Sequence, residues 1–217
     1  MHSTLFRHRV GYFFLAFFAL AIGLYPLRFI GLPYEQSLLA DKAADLLASP
    51  IFITAFYLHI SLGGLALLMG FTQFFPRLRR RLPKLHRNLG KVYVLSVLIS
   101  GSCGLLIAIF ASGGIISTLG FAGLAGSWLF TTLRAYTAIR RTDILRHQQW
   151  MIRSYALCFA AVTLRLYLPL AVQVLGLDFL PSYRLIAWLC WVPNLLAAEL
   201  VILPGIRPGG SSRKAAK

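Results

Sequence analysis

The sequence predicts an all-α integral membrane protein, a bundle of six transmembrane helices with the N- and C-termini cytoplasmic. Three observations predict it. Of 217 residues, 58% are hydrophobic and 13% charged, with a mean hydropathy of +0.72, whereas a soluble domain carries about a quarter charged residues. The apolar residues fall into six runs of spanning length, about 20 residues each. The 22 Lys and Arg, against six Asp and Glu, cluster in short segments between those runs, as the positive-inside bias requires. A net charge of +16 on a soluble chain would point to nucleic acid, and this distribution excludes that partner.

Residues 10–30 form the first apolar run, behind the charged start MHSTLFRHR. The run has spanning length and lacks a small-x-small exit, so it is a retained helix rather than a cleaved signal. Residues 31–50 are a polar interruption with Glu35, Asp41, Lys42 and Asp45, in which Leu38, Leu39, Leu46 and Leu47 predict a short helix along the membrane surface. The remaining spans are residues 51–75, 91–110, 117–139, 150–175 and 184–204, giving one transmembrane domain over 1–206. The tail, 207–217, is glycine, serine and basic residues after a proline, a composition that predicts disorder. Cys103, Cys158 and Cys190 lie inside apolar runs and read as small core residues. Tyr25, Tyr57, Trp128, Trp150, Tyr183 and Trp188 stand toward span ends, several where aromatic belts form.

Orientation follows from charge. The segment PRLRRRLPKLHRNLGKVY, residues 76–93, holds Arg77, Arg79, Arg80, Arg81, Lys84, Arg87 and Lys91 with no acid. On the same side fall Arg7, Arg9, Arg134, Arg140, Arg141, Arg146, Arg153, Arg207, Arg213, Lys214 and Lys217, against Asp143 alone. The opposite side receives Arg28, Lys42 and Arg184 against Glu35, Asp41, Asp45 and Asp178. The basic side is therefore expected in the cytoplasm of a cell whose inner membrane holds the protein, facing anionic lipid head groups.

Two charges remain deep in the apolar runs, Arg165 and Glu199. Each costs about 2.5–3.5 kcal/mol to insert and needs a partner or a wet cavity. At about 1.5 Å per residue, Arg165 lies roughly 22 Å from the inner end of its span, level with His59, and Glu199 lies level with Arg153. This predicts two polar levels: an outer one with His59, Arg165 and Tyr57 or Tyr167, and an inner one with His86, His147, Arg153 and Glu199. The Arg153–Glu199 pair reads as structural.

His86 and His147 both stand where a basic segment enters a span. His86 shares a helical face with Gly90, Tyr93, Val97, Gly101, Gly104 and Ala108, and His147 with Met151, Ser154, Cys158, Ala161 and Arg165. On the second span His59 is followed by Gly63, Gly70 and Gln73. Such small faces serve close helix packing. They also leave room for a flat cofactor, because a porphyrin needs small residues beside its ligands and two histidines at equal depth. His86 and His147 meet the depth condition, and His59 has no equal-depth histidine partner.

The strings LHISLGGLALLMGFTQF, LHRNLGKVYVLSVLISG and RHQQWMIRSYALCFAAVTLRLYLP closely resemble the bacterial predicted membrane proteins grouped as domain of unknown function 2306. The resemblance covers most of the chain and implies motif roles for His59, His86, Arg87, Gly90, Tyr93, His147, Trp150, Met151, Arg153, Tyr155 and Arg165. The second motif usually begins His-Arg, where this chain has His147 followed by Gln148. The resemblance implies a fold and a motif without a reaction.

LHRNLG is also similar to the Leu-His-x-x-Leu-Gly opening of a haem-bearing helix in the transmembrane cytochrome b-561 superfamily, likewise six spans with cytoplasmic termini. That likeness implies a single haem b between His86 and His147, the only metal contact expected of them, since the fourth span has no histidine to complete a second pair. The competing readings are a small carrier using His59, Arg165 and Glu199 to handle charge, and a non-catalytic accessory protein whose basic face binds anionic lipid. Hydrolytic and phosphate-loop motifs are absent.

Overall fold

The computed structural model describes residues 2–29, 39–40 and 42–202, with side chains from residue 11 onward. The basic tail, most of the expected surface helix with Glu35, Leu38 and Asp41, and the side chains of Arg7 and Arg9 lie outside the described residues.

The described chain is helical, with no strand. The helices are α1 (His2–Gly23), α2 (Ala44–Leu47), α3 (Pro50–Thr72), α4 (Pro76–Arg81), α5 (Pro83–Ala108), α6 (Ile115–Arg140), α7 (Ile144–Cys158), α8 (Ala160–Pro169), α9 (Phe179–Leu189) and α10 (Val192–Ile202). They make six membrane-spanning units: Gly11–Phe29, Pro50–Thr72, Pro83–Ala108, Ile115–Arg140, Ile144–Val174 and Phe179–Ile202. The chain is an all-α, multi-pass membrane protein.

Proline sets three helix starts. Pro50, Pro76 and Pro83 each stand in the first turn of their helix, where the missing N–H is not needed and the fixed φ favours the helix. Ser49 also caps α3 by accepting from the Phe52 N–H at 3.5 Å. The turn from α6 to α7 is tighter. Thr142 adopts a left-handed φ of 60°, the Asp143 N–H reaches the Ala138 carbonyl and the Thr142 N–H the Ile139 carbonyl, both at 3.0 Å. This Schellman closure delivers Asp143 directly to the start of α7, where its carboxylate accepts from the Arg146 N–H at 3.0 Å.

The last two spans are broken. The fifth span breaks at Phe159, between α7 and α8, and just beyond it the Thr163 hydroxyl, within reach of the Phe159 and Ala160 carbonyls, donates instead to the Cys190 carbonyl of the sixth span. Pro169 ends α8 and a π-helical turn, Leu170–Val174, follows. Between α9 and α10 the chain turns at Cys190 and Trp191, because Pro193 has no N–H for the Leu189 carbonyl.

Consecutive spans two to five pack side by side, with α3 against α5, α5 against α6 and α6 against α7; α3 also meets α7. The first span lies on α3, and the sixth lies against α6 and α7. Tyr93, Val97, Leu67, Leu157 and Val162 fill the centre with little or no exposure. The helices meet closely where glycine stands. A Cβ on Gly64 would come within 2.5 Å of the Gly23 carbonyl, one on Gly101 within 2.8 Å of Leu129, and one on Gly120 within 2.9 Å of the Ala187 carbonyl.

Candidate functional site

His86 and His147 occupy the same position in two helices. Each backbone N–H bonds the carbonyl of the residue that opens its helix, His86 to Leu82 at 3.0 Å and His147 to Asp143 at 2.9 Å. Both are therefore one turn inside a helix start at the basic end of the bundle. The two rings lie within electrostatic reach of each other, and Arg79 and Arg87 lie within reach of His86.

Their second contacts differ. The His147 Nδ1 lies 2.9 Å from the Ala135 carbonyl. A carbonyl only accepts, so Nδ1 carries the proton, and in the neutral ring Nε2 keeps its lone pair. That backbone contact fixes the tautomer and ring direction, as partners behind metal-bound histidines do. The His86 Nδ1 is buried and has no hydrogen-bond partner. Around it the start of α5 carries Lys84 and Arg87, no acid and no capping side chain, so cations crowd the positive end of a helix dipole.

Deeper along the same faces the space is taken. A Cβ on Gly70 would strike the Tyr155 ring and come within 2.9 Å of Tyr93, and one on Gly104 would come within 3.0 Å of the His59 ring. At Gly90 the nearest group to a built Cβ is the Gln73 side-chain oxygen, at an ordinary 3.6 Å. Any sizeable ligand of the histidine pair thus belongs at the basic end and not at the centre of the bundle.

The centre holds a ring of hydroxyls. Tyr93 and Ser154 are 2.7 Å apart, Ser154 and Thr132 2.7 Å, Thr132 Oγ1 donates to the Trp128 carbonyl at 2.7 Å, and Trp128 Nε1 donates to the Tyr93 oxygen at 3.4 Å. Trp128 stands in the buried core rather than in an aromatic belt.

His59 and Arg165 stand toward the other end. The His59 Nδ1–H donates to the Ser100 carbonyl at 2.9 Å, and Ser100 Oγ donates back to the His59 carbonyl at 2.8 Å. His59 is thereby locked to α5, with its ring against Gly104. The Arg165 guanidinium is within electrostatic reach of His59, lies 5.0 Å over the Tyr25 ring and donates Nη1 to the Ala161 carbonyl at 3.0 Å. Neither Tyr57 nor Tyr167 makes a side-chain hydrogen bond to His59 or Arg165.

Arg153 and Glu199 form a two-pronged ion pair, Nε to Oε1 at 2.5 Å and Nη2 to Oε2 at 2.7 Å. The Trp150 ring meets two cations, Arg153 at 4.7 Å and Arg134 at 5.5 Å from its centre. Together these tie the fourth, fifth and sixth spans.

The family model described as Predicted membrane protein (DUF2306) matches residues 56–202. The chain belongs to that family. No curated protein and no solved structure matches it. In this DUF2306 protein the matched region runs from within α3 to the end of α10, so it contains the histidine pair, the hydroxyl ring, the His59–Arg165 level and the Arg153–Glu199 pair. Asn194, which the sequence reading passes over, bonds the Ala156 and Cys190 carbonyls and the Thr163 hydroxyl. Its only sequence signal is an amide inside an apolar run.

Proposed function

We propose that this DUF2306 protein is a transmembrane redox protein that holds one haem b between His86 and His147 at the basic end of the bundle, with that end toward the cytoplasm. The observation that carries the reading is the donor set. His147 has its tautomer fixed by the Ala135 carbonyl, and His86, within reach of it, has a buried ring nitrogen without a partner.

Among the described residues no three His, Cys, Asp or Glu side chains come together. The donor set is therefore a pair, which suits an iron already held by a macrocycle better than a bare ion. When bound, haem supplies one-electron chemistry at its iron. The residues supply position and charge: the Ala135 contact orients His147, Arg79 and Arg87 offer cations to carboxylates, and Tyr93 with Tyr155 closes the bundle beneath. The likeness of LHRNLG to a haem-bearing helix supports the same assignment. Among the described residues a second haem finds no donor pair, because the His59 ring packs against Gly104 and the fourth span has no histidine to pair with it.

The basic face, with its contact to anionic lipid, and the inner-membrane location belong to the same reading and rest on the charge asymmetry. Pyridine haemochrome analysis of protein purified from haem-supplemented cells tests it. The expected content is one protoporphyrin haem per chain, and a haem-free preparation overturns the assignment.

A further inference from the structure

We propose that Arg165 anchors a binding site, separate from the histidine pair, for the carboxylate of a membrane-dissolved amphiphile such as a long-chain fatty acid. Arg153 and Arg165 lie deeper in the fifth span than Arg146, and the structure treats them differently. Arg153 presents its Nε and Nη2 edge to a carboxylate, Glu199. Arg165 has Nη1 on the Ala161 carbonyl and its plane over Tyr25, while its Nε is buried with no partner. Among the described residues no carboxylate pairs with it.

An unpaired guanidinium in a membrane helix is costly, and a facing anion relieves the cost. The Nε edge of arginine fits a planar carboxylate with parallel hydrogen bonds. The setting fits an amphiphile. Arg165 lies about 13 Å from the end of its span, so a ligand reaches it through lipid. Pro169 adds a polar neighbour, because it has no N–H for the Arg165 carbonyl. A singly charged carboxylate enters such a site at less cost than a more strongly hydrated phosphate.

The test is equilibrium binding of radiolabelled oleate to the purified full-length protein in detergent, with unlabelled competitors. Saturable binding of one oleate per chain is expected. Oleate should compete while oleyl alcohol should not, and affinity should fall at least about tenfold in Arg165→Gln and Arg165→Lys, since neither keeps the fork. Non-saturable binding to the unaltered protein, or equal affinity in a monodisperse Arg165→Lys variant, overturns the proposal. Competition by phosphatidylglycerol as strong as that by oleate assigns the site to phospholipid and overturns the carboxylate ligand. The assay reads no haem, so its outcome is independent of the redox reading.

Discussion

The Tyr93 hydroxyl donates to Ser154 across 2.7 Å at the centre of the bundle. The direction follows from the other end of the ring. Thr132 uses its proton on the Trp128 carbonyl, so it accepts from Ser154; Ser154 then accepts from Tyr93, and Tyr93 accepts from the Trp128 indole. Each donor has one acceptor, and Trp128 both starts and ends the circuit. Three spans, the third, fourth and fifth, are joined by it. In hydrocarbon such bonds contribute about 0.6–2 kcal/mol each.

This directionality gives an ordered prediction. Tyr93→Phe leaves the indole N–H without its acceptor, and Ser154→Ala interrupts the circuit in the middle. Each should lower stability by about 1–2 kcal/mol. The double variant should cost less than the sum, because the same circuit is broken. Thermal unfolding in detergent, arranged as a double-mutant cycle, reads the coupling; strict additivity would show that the hydroxyls do not act together.

Gly70 is predicted to be intolerant. A methyl there meets the edge of the Tyr155 ring and Tyr93, and Tyr155 is itself buried and donates to the Leu67 carbonyl at 3.2 Å. Gly70→Ala should cost about 1–3 kcal/mol from overpacking, while Gly126→Ala, where no atom lies within 4 Å of the built Cβ, should be nearly neutral. Melting temperatures of the two variants compare them directly.

The Arg153–Glu199 pair is partly exposed, with side chains 17% and 36% accessible. Breaking it should therefore cost less than the roughly 3–5 kcal/mol of a fully buried pair, about 1–2 kcal/mol for Glu199→Gln. Arg153 keeps its contact with Trp150 in that variant. Replacing both with Gln should recover part of the loss, and denaturation midpoints of the three variants measure it.

Orientation is checked by labelling. A cysteine in place of Arg80, on α4, should react with an impermeant maleimide only after the membrane is opened, whereas one at Asp178, between the fifth and sixth spans, should react in intact spheroplasts. The native cysteines lie in the spans and give a low background.

The six spans were legible because hydropathy sums over some 20 residues and single polar residues barely alter it. Helix ends were not. Hydropathy starts the third span at residue 91, yet α5 starts at Pro83, and it starts the fifth at residue 150, yet α7 starts at Ile144. Proline at the first turn and the Asp143 cap extend both helices through basic sequence that hydropathy rejects, and this carries His86 and His147 inside the helices. The levels of Arg153 with Glu199 and His59 with Arg165 could be counted from helical rise. The hydroxyl ring could not, because Ser154, Thr132 and Trp128 are single polar groups whose meeting depends on how three helices are rotated.

The most direct measurement is the visible difference spectrum, dithionite-reduced minus oxidised, of the purified protein and its histidine variants. The expected result is a six-coordinate b-type spectrum that is lost in His86→Ala and in His147→Ala and kept in His59→Ala. A colourless preparation from haem-supplemented cells, or a haem band that survives both His86→Ala and His147→Ala, would contradict it.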